Sequence, residues 1–544
     1  MATSHEHTHS SVEEGANRSV YPPILKLHDD LLWRIFMINA TLDDKFVGWG
    51  QGNQPKNPAL ETARFTSQVC TQWRAVILGS PTIWGNSIDL QLLRRKSDHW
   101  RKEVLKRTGS GPLWISGDVL GDNEISIFFS SLLNDNWERI RGLDIRVFGF
   151  SSLDYDMWRS FRSAAPNLEV LRVQFHSIAD PSSLTSRDPE SFFAGKAPRL
   201  REFHCPRMSF SMAASWVPQL QALTLSYPQS IYDLFSTADM PFLETLDILK
   251  SLQITDIRVS GNLVNKKVLP RLKSINLEHG FKTCLTILER ITASHLCALH
   301  LSTDDSDLTD VTSDEISALQ AMIAHYSKGY FNTTPTQKLI LHVSANVFSM
   351  SAPTATRIPP STFRVNIYST LALPQDIFSP CIKSFSSCDF SSVTIFRLFI
   401  FHDYETYKMD IINFISVLPS VEILHVTKNA IRFLLDLPKE RRKVFPVLHT
   451  LTLGYRENLS SPMPPLYPDI LLSLLVSRRD EGMPVEFLDL VDCPFDHIGN
   501  LGFLEGMTSL RVRWKRPSGF GFDEYICGSG TPSMLDLRTN AYNV

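Results

Sequence analysis

The sequence predicts an α/β chain in which a short all-α N-terminal module precedes an irregular solenoid, with parallel strands inside and helices outside. The first of three observations is a recurring phrase, a proline followed by apolar residues at offsets two, five and seven. It occurs at Pro166 (Leu168, Leu171, Val173), Pro218 (Leu220, Leu223, Leu225), Pro241 (Leu243, Leu246, Ile248), Pro270 (Leu272, Ile275, Leu277), Pro419 (Val421, Leu424, Val426) and Pro446 (Leu448, Leu451, Leu453). The second is a pair of amphipathic stretches near the start, separated by a Gly, Asn, Gln and Pro-rich loop, Asp43 to Pro58. The third is composition: 544 residues at 43% hydrophobic and 20% charged are enough for a continuous core, and are no disordered mixture.

The phrase has a direct physical meaning. Its last two apolar positions are two apart, so both face one side of a short strand, while the first turns inward as the chain enters. Proline lacks an amide donor and biases its predecessor away from helix, so it ends one element and delivers the chain into the next. Further units read Ile140, Leu143, Ile145; Leu200, Phe203, Cys205; Leu296, Leu299, Leu301; and Val485, Leu488, Leu490. Partial matches read Leu339, Leu341, Val343; Phe363, Val365, Ile367; and Leu510, Val512. Stacked units of this kind bury a shared core and offer a long surface to a partner.

Between strands, Ile316, Leu319, Ile323 and Tyr326 form a helical stripe, with Thr312 and Glu315 spaced as a capping box. Three insertions interrupt the array: acidic Asp304 to Asp314, Ser349 to Ser361, and Arg456 to Pro468. Each is expected to be a mobile loop. The expected boundaries are a disordered tail over 1–20, the helical module over 21–90, a helical connector and entry strand over 91–136, the solenoid over 137–514, and a loose glycine-bearing tail over 515–544.

In the module, Leu27, Leu31 and Ile35 sit four apart beside Leu32 and Phe36, with Asp29 and Asp30 at a favourable helix start. A second helix is expected over Ala59 to Leu78, burying Ala63, Ser67, Cys70, Trp73 and Ile77, with Phe65, Val69 and Val76 widening that face. Ser80 and Pro81 end it, and Trp84 follows. Beyond it, Gln91 to Arg107 reads as an amphipathic connector.

The string Leu27, Leu31, Ile35, Phe36, then Val69, Cys70, Trp73, Arg74, then Ser80, Pro81, Ile83, Trp84 resembles an F-box, and the chain is similar to F-box proteins of fungi. His28 and Asp29 stand where the family has proline and glutamate, and the inter-helix linker is longer. The repeats resemble degenerate leucine-rich repeats over 137–514, with Asn429 and Cys493 at the position where the regular form carries Asn or Cys. The resemblance implies a substrate-receptor subunit of an SCF-type ubiquitin ligase. Leu27, Leu31, Ile35, Phe36, Val69, Cys70, Trp73 and Trp84 would bind a Skp-family adaptor, and through it a cullin, while the repeats hold a protein substrate. The alternative is a leucine-rich-repeat scaffold outside the ubiquitin machinery, its helical module an N-terminal cap.

Chemistry of other kinds is disfavoured. No nucleophile elbow, phosphate loop, dinucleotide-binding glycine pattern or zinc-helix motif is present, so neither catalytic residues nor a cofactor are expected. His5, His7 and His9 read as a solvated tail, and Asp304, Asp305, Asp307 and Asp310 depart from calcium-loop spacing. A net charge of −3 gives no basic field for nucleic acid. Apolar runs such as Thr394 to Phe401 fall short of the roughly 20 residues that span a bilayer. Eight scattered cysteines and the absence of a leader suit reduced thiols in the cytoplasm or nucleus. The sequons at Asn17, Asn39, Asn332 and Asn458 then read as chance matches.

Overall fold

A computed structural model describes residues 27–40, 59–94, 96–121, 124–149, 158–176, 189–206, 208, 210–226, 228–236, 239–250, 266–353, 362–401, 404–438, 441–453, 467–493, 500–516 and 521–536. The expected disordered tail, its histidines, the Asp43–Pro58 linker and most of the Arg456–Pro468 insertion lie outside these residues. The described residues form two compact units, one ending at Ile115 and one beginning at Ser116.

In the first unit, α1 (Asp29–Ala40), α2 (Ala59–Thr66), α3 (Thr71–Leu78) and α4 (Pro81–Gly85) enclose Leu32, Phe36, Leu60, Ala63, Ile77, Ile83 and Trp84. The single helix expected over Ala59 to Leu78 is two helices. Gln68 and Val69 donate back to Phe65 and Thr66 in a tight turn, and Cys70 takes an extended backbone (φ −154°, ψ 172°) with its Sγ accepting from the Trp73 amide. A cap residue with extended backbone ends one helix and starts another, so Phe65 and Val69 point outward rather than into the core. Pro81, expected only as a stop, also occupies the first turn of α4, where its missing N–H is no loss. The connector is likewise two helices, α5 (Leu90–Arg94) and α6 (Asp98–Arg107), preceded by the two-residue strand β1 (Ile88–Asp89) and followed by β2 (Leu113–Leu120), whose last residues belong to the second unit.

The second unit is a mixed α/β repeat scaffold built on one large, mostly parallel sheet. After α7 (Glu124–Asp135), strands β3 (Ile140–Phe148), β4 (Val170–Phe175), β5 (Glu202–His204), β6 (Ala222–Leu225) and β7 (Thr245–Leu249) pair in chain order. A small parallel pair, β8 (Lys267–Leu269) with β10 (Ile291–Ala293), flanks β9 (Ser274–His279), which continues the main sheet from β7 to β11 (Ala298–Asp305). The proline phrase sets each entry. The first apolar residue closes a turn, as in Leu220 N–H to Val217 O (3.1 Å), and the amide three after proline opens the ladder, as in Gln221 to Arg201 O (2.7 Å) and Glu244 to Gln221 O (2.8 Å). The middle apolar positions then stack in register, Leu143, Leu171, Phe203, Leu223, Leu246, Ile275 and Leu299, all buried. Leu296 is the exception: it is exposed, and Cys297 turns inward instead.

Order then breaks once. Strands β12 (Lys338–Val343), β13 (Val347–Ala352) and β14 (Phe363–Ser369) form an antiparallel meander, so that β11 pairs with β14, and β12 pairs with β15 (Ile395–Ile400). Part of the Ser349–Ser361 insertion, expected as a loop, is therefore strand β13; its Phe348, Met350 and Ala352 alternate into the core, a period-two pattern hidden by the flanking serines. Parallel order resumes through β16 (Ile423–Val426), β17 (Thr450–Leu453), β18 (Phe487–Asp489) and β19 (Arg511–Lys515), with Phe396, Leu424, Leu451, Leu488 and Val512 in register. Residues expected in a loose tail form β20 (Phe522–Ile526), antiparallel to β19; Gly528, at φ +82°, makes the turn that lets Cys527 exchange bonds with Ser509 and Leu510.

What joins the strands differs along the sheet. Between β3 and β6 the connections include short 3₁₀ segments packed through Trp137, Phe161, Phe193, Phe203 and Trp216. Beyond β6 most of the longer ones carry helices: α8 (Pro228–Ser236), α9 (Phe281–Arg290), α10 (Ser313–Phe331), α11 (Phe378–Lys383), α12 (Lys408–Ile415), α13 (Lys428–Leu435) and α14 (Pro468–Asp480). The expected capping box is present: the Thr312 amide donates to Glu315 (2.8 Å) and the Glu315 amide to Thr312 (3.3 Å). Asn429, expected at the ladder position, lies inside α13; the neighbouring Thr427 hydroxyl instead donates to Ile400 O (2.9 Å) and accepts from Ile400 N–H (3.2 Å). The acidic insertion is tied down rather than loose. Asp305 accepts from the Phe281 amide (2.9 Å), and Asp310 pairs with Lys282 (2.9 Å).

Candidate interaction surfaces

On the first unit, the residues singled out from sequence fall into two sets. Phe36 and Trp84 belong to the core: Phe36 meets Trp73 edge-on at 5.1 Å, and the Trp84 indole N–H donates to Ile77 O (2.9 Å) beneath the Arg107 guanidinium. Neither can touch a partner, because their own helices cover them. Leu31 (48% exposed), Ile35 (40%) and Val69 (60%) form the second set, joined by Ile38 (74%), which the sequence reading missed. Leu31, Ile35 and Ile38 recur at i, i+4 and i+7, one stripe of α1 opposite the buried Leu32, Phe36 and Ala40. The signal for Ile38 was the same periodicity carried one turn further.

Leu27, Cys70 and Trp73 are half-buried and hold the frame. Gln72 Nε2 donates to Asp29 Oδ1 (2.9 Å) and to Leu27 O (3.4 Å), pinning the start of α3 to the start of α1. Arg74 Nε donates to Ser67 O (3.1 Å), fastening the turn that exposes Val69. The buried and hydrogen-bonded members of the string thus build the frame, while Leu31, Ile35 and Val69 are left exposed.

On the second unit, the sheet face opposite the apolar ladders carries a row of side chains, polar except at Ile340, that stays in register from β3 to β20. It reads Asp144, Arg172, His204, Thr224, Asp247, Asn276, His300, Arg364, Ser351, Ile340, Arg397, His425, Thr452, Asp489, Arg513, Glu524. In the complete phrases this row is the residue between the last two apolar positions, but Arg364, Ser351, Ile340, Arg397, Arg513 and Glu524 lie outside that spacing, and no sequence pattern marked the charges as one surface.

Toward β3 the charges answer one another. Arg172 bridges Asp144 (3.2 Å) and Glu202 (2.6 Å); the Thr224 hydroxyl, paired with His204 Nδ1, donates to Asp247 (3.2 Å). Burial pushes the Asp144 carboxyl up to about 6 against the pull of Arg172, and lowers His204 to about 4. At the far end Arg513 holds Asp489 at 2.6 Å. Burial likewise lowers His300, His342 and His425 to about 4, so these rings are neutral near pH 7.

Among the described residues no group of three or more His, Cys, Asp and Glu side chains is gathered to hold a metal, and no helix is long and apolar enough to cross a membrane. All eight cysteines are free; burial pushes Cys297 and Cys493 up to about 12, and Cys388 and Cys527 up to about 11, far from reactive thiolates.

No family model and no curated protein matches the chain. Among solved structures, the leucine-rich repeat-containing protein LegL7 from Legionella pneumophila is similar at 10% identity, over 55% of this chain and 95% of that one, with a TM-score of 0.18. So low a score carries no argument; the repeat architecture rests on the strand ladders themselves.

Proposed function

We propose that the chain is a substrate receptor of an SCF-type ubiquitin ligase, binding a Skp-family adaptor through the first unit and a protein substrate through the repeat scaffold. The observation that carries this reading is the stripe Leu31, Ile35, Ile38 with Val69, apolar and exposed above a core built from the rest of the same string. A module this small has little reason to display that much apolar side chain unless a partner covers it. The chain would itself be non-catalytic, its partners supplying the ubiquitin transfer.

Calorimetry with a purified Skp-family adaptor tests the reading. The wild-type chain should bind, and Leu31→Glu with Ile35→Glu and Val69→Glu should weaken binding by at least roughly 100-fold, since buried interface anchors each contribute on the order of 1–2 kcal/mol. Those three positions are exposed, so the melting temperature should hold. Absence of wild-type binding would sink the ligase role and leave the repeat scaffold as a binding protein of another kind.

A further inference from the structure

The middle of the polar row lacks the acids that its two ends possess. Arg397 of β15 lies directly opposite His425 of β16 and Ile340 of β12, and Lys338 precedes Ile340 by two residues on the same face. Strand spacing places the Cβ of Arg397 roughly 5–8 Å from those of both His425 and Lys338, which lie on either side of it two strands apart. Among the described residues neither Lys338 nor Arg397 makes a side-chain hydrogen bond or ion pair, and Arg397 Nε is buried without an acceptor. The charge acting on Lys338 is that of Arg397, which opposes its own. Asp489, the acid that reaches His425, is already held by Arg513. Around the cations, Ile340, Ile395 and Ile423 are half-buried on the same two rows.

We propose that this face of β12, β15 and β16 receives an acidic peptide segment of a partner protein, a carboxylate supplying the counter-charge for Arg397 and Lys338 while flanking apolar side chains rest on the three isoleucines. A guanidinium with free donors takes a carboxylate in a two-pronged pair, which fixes position as well as affinity. The half-buried setting favours a singly charged carboxylate over a doubly charged phosphate, because desolvation cost rises steeply with charge. The proposal deepens the reading of the repeat scaffold as the substrate-holding half, and it rests on that reading.

Fluorescence anisotropy on the full chain tests it, with a labelled peptide alternating glutamate and leucine and matched peptides in which lysine or phosphoserine replaces glutamate. The glutamate peptide should bind and the lysine peptide should not. Lys338→Gln with Arg397→Gln should loosen binding by at least about tenfold, the loss expected for one charge-assisted hydrogen bond. Arg141→Gln, at an exposed and already paired site, should change nothing. Should the double variant melt early, salt decides on the wild-type chain: a carboxylate-held peptide is released as ionic strength rises, and persistence overturns the proposal. Undiminished binding to a folded double variant, or tighter binding of the phosphoserine peptide, also overturns it. Adaptor affinity measured on the same preparation separates the two readings: peptide binding without adaptor binding removes the ligase role alone, and adaptor binding without peptide binding removes this site alone.

Discussion

The polar row is one construction with two electrostatic regimes. Near β3 every strong charge has an opposite neighbour on an adjacent strand: Asp144 and Glu202 flank Arg172. Near β15 the same row position carries Arg397 between an isoleucine and a neutral imidazole, with Lys338 as the nearby charge. Backbone register is equally strict in both places, so ladder geometry cannot account for the difference. The paired stretch is finished by its own side chains; the unpaired stretch retains charge that the fold leaves unneutralised.

The sharpest way to break this comparison is to remove the shared cation at the paired end. Arg172→Met leaves Asp144 buried without its counter-charge, and breaking a buried pair from one side should cost about 3 kcal/mol. Urea unfolding followed by circular dichroism reads the loss as a lower midpoint. A drop below about 1 kcal/mol would mean that the two ends of the row are energetically alike.

Protonation separates the regimes less strongly. His204, His300, His342 and His425 have folded pKa values near 4 against an ordinary 6.5, so the unfolded chain takes up protons first as pH falls. Their contribution is complete above pH 6.5 and is lost as pH falls toward 4. Asp144 and Asp247 act with the opposite sign: raised to about 6 by burial, they add stability below about pH 4 that is lost as pH rises through 6. Four imidazoles against two such carboxylates still give a net loss on acidification, about 1 kcal/mol for each imidazole in excess after allowance for partial exposure. Thermal melts from pH 7 to 4.5 should fall, and His300→Gln with His425→Gln should flatten that slope; an unaltered slope would remove the central imidazoles from the account.

Much of the scaffold was legible because its signal is local and periodic. Pro218, Leu220, Leu223 and Leu225 state a turn, an inward residue and a two-residue strand face within eight positions, and the ladder follows. The β12–β14 meander was not legible, since pairing order depends on contacts between residues such as Thr303 and Ile367, far apart in the chain. The broken helix at Cys70 hid for another reason: Ser67, Cys70 and Thr71 fit either a helix interior or a cap, and only tertiary packing chooses. At the interaction surfaces, periodicity found Leu31 and Ile35, while the isolation of Arg397 from acids is a property of three strands together.

The smallest expected effect bears most directly on the comparison. Arg397 has a buried Nε with no acceptor, and Lys338 repels it. Methionine has a similar length and flexibility but no charge to desolvate, so Arg397→Met should leave stability unchanged or raise it by about 1 kcal/mol, the reverse of Arg172→Met at an equivalent position of the row. The two substitutions remove the same chemical group from the same row of one sheet. If both destabilise alike, Arg397 has an internal partner and the central stretch is as complete as the end. If their signs differ, the fold holds Arg397 at no benefit to its own stability, as a side chain kept for an outside ligand would be.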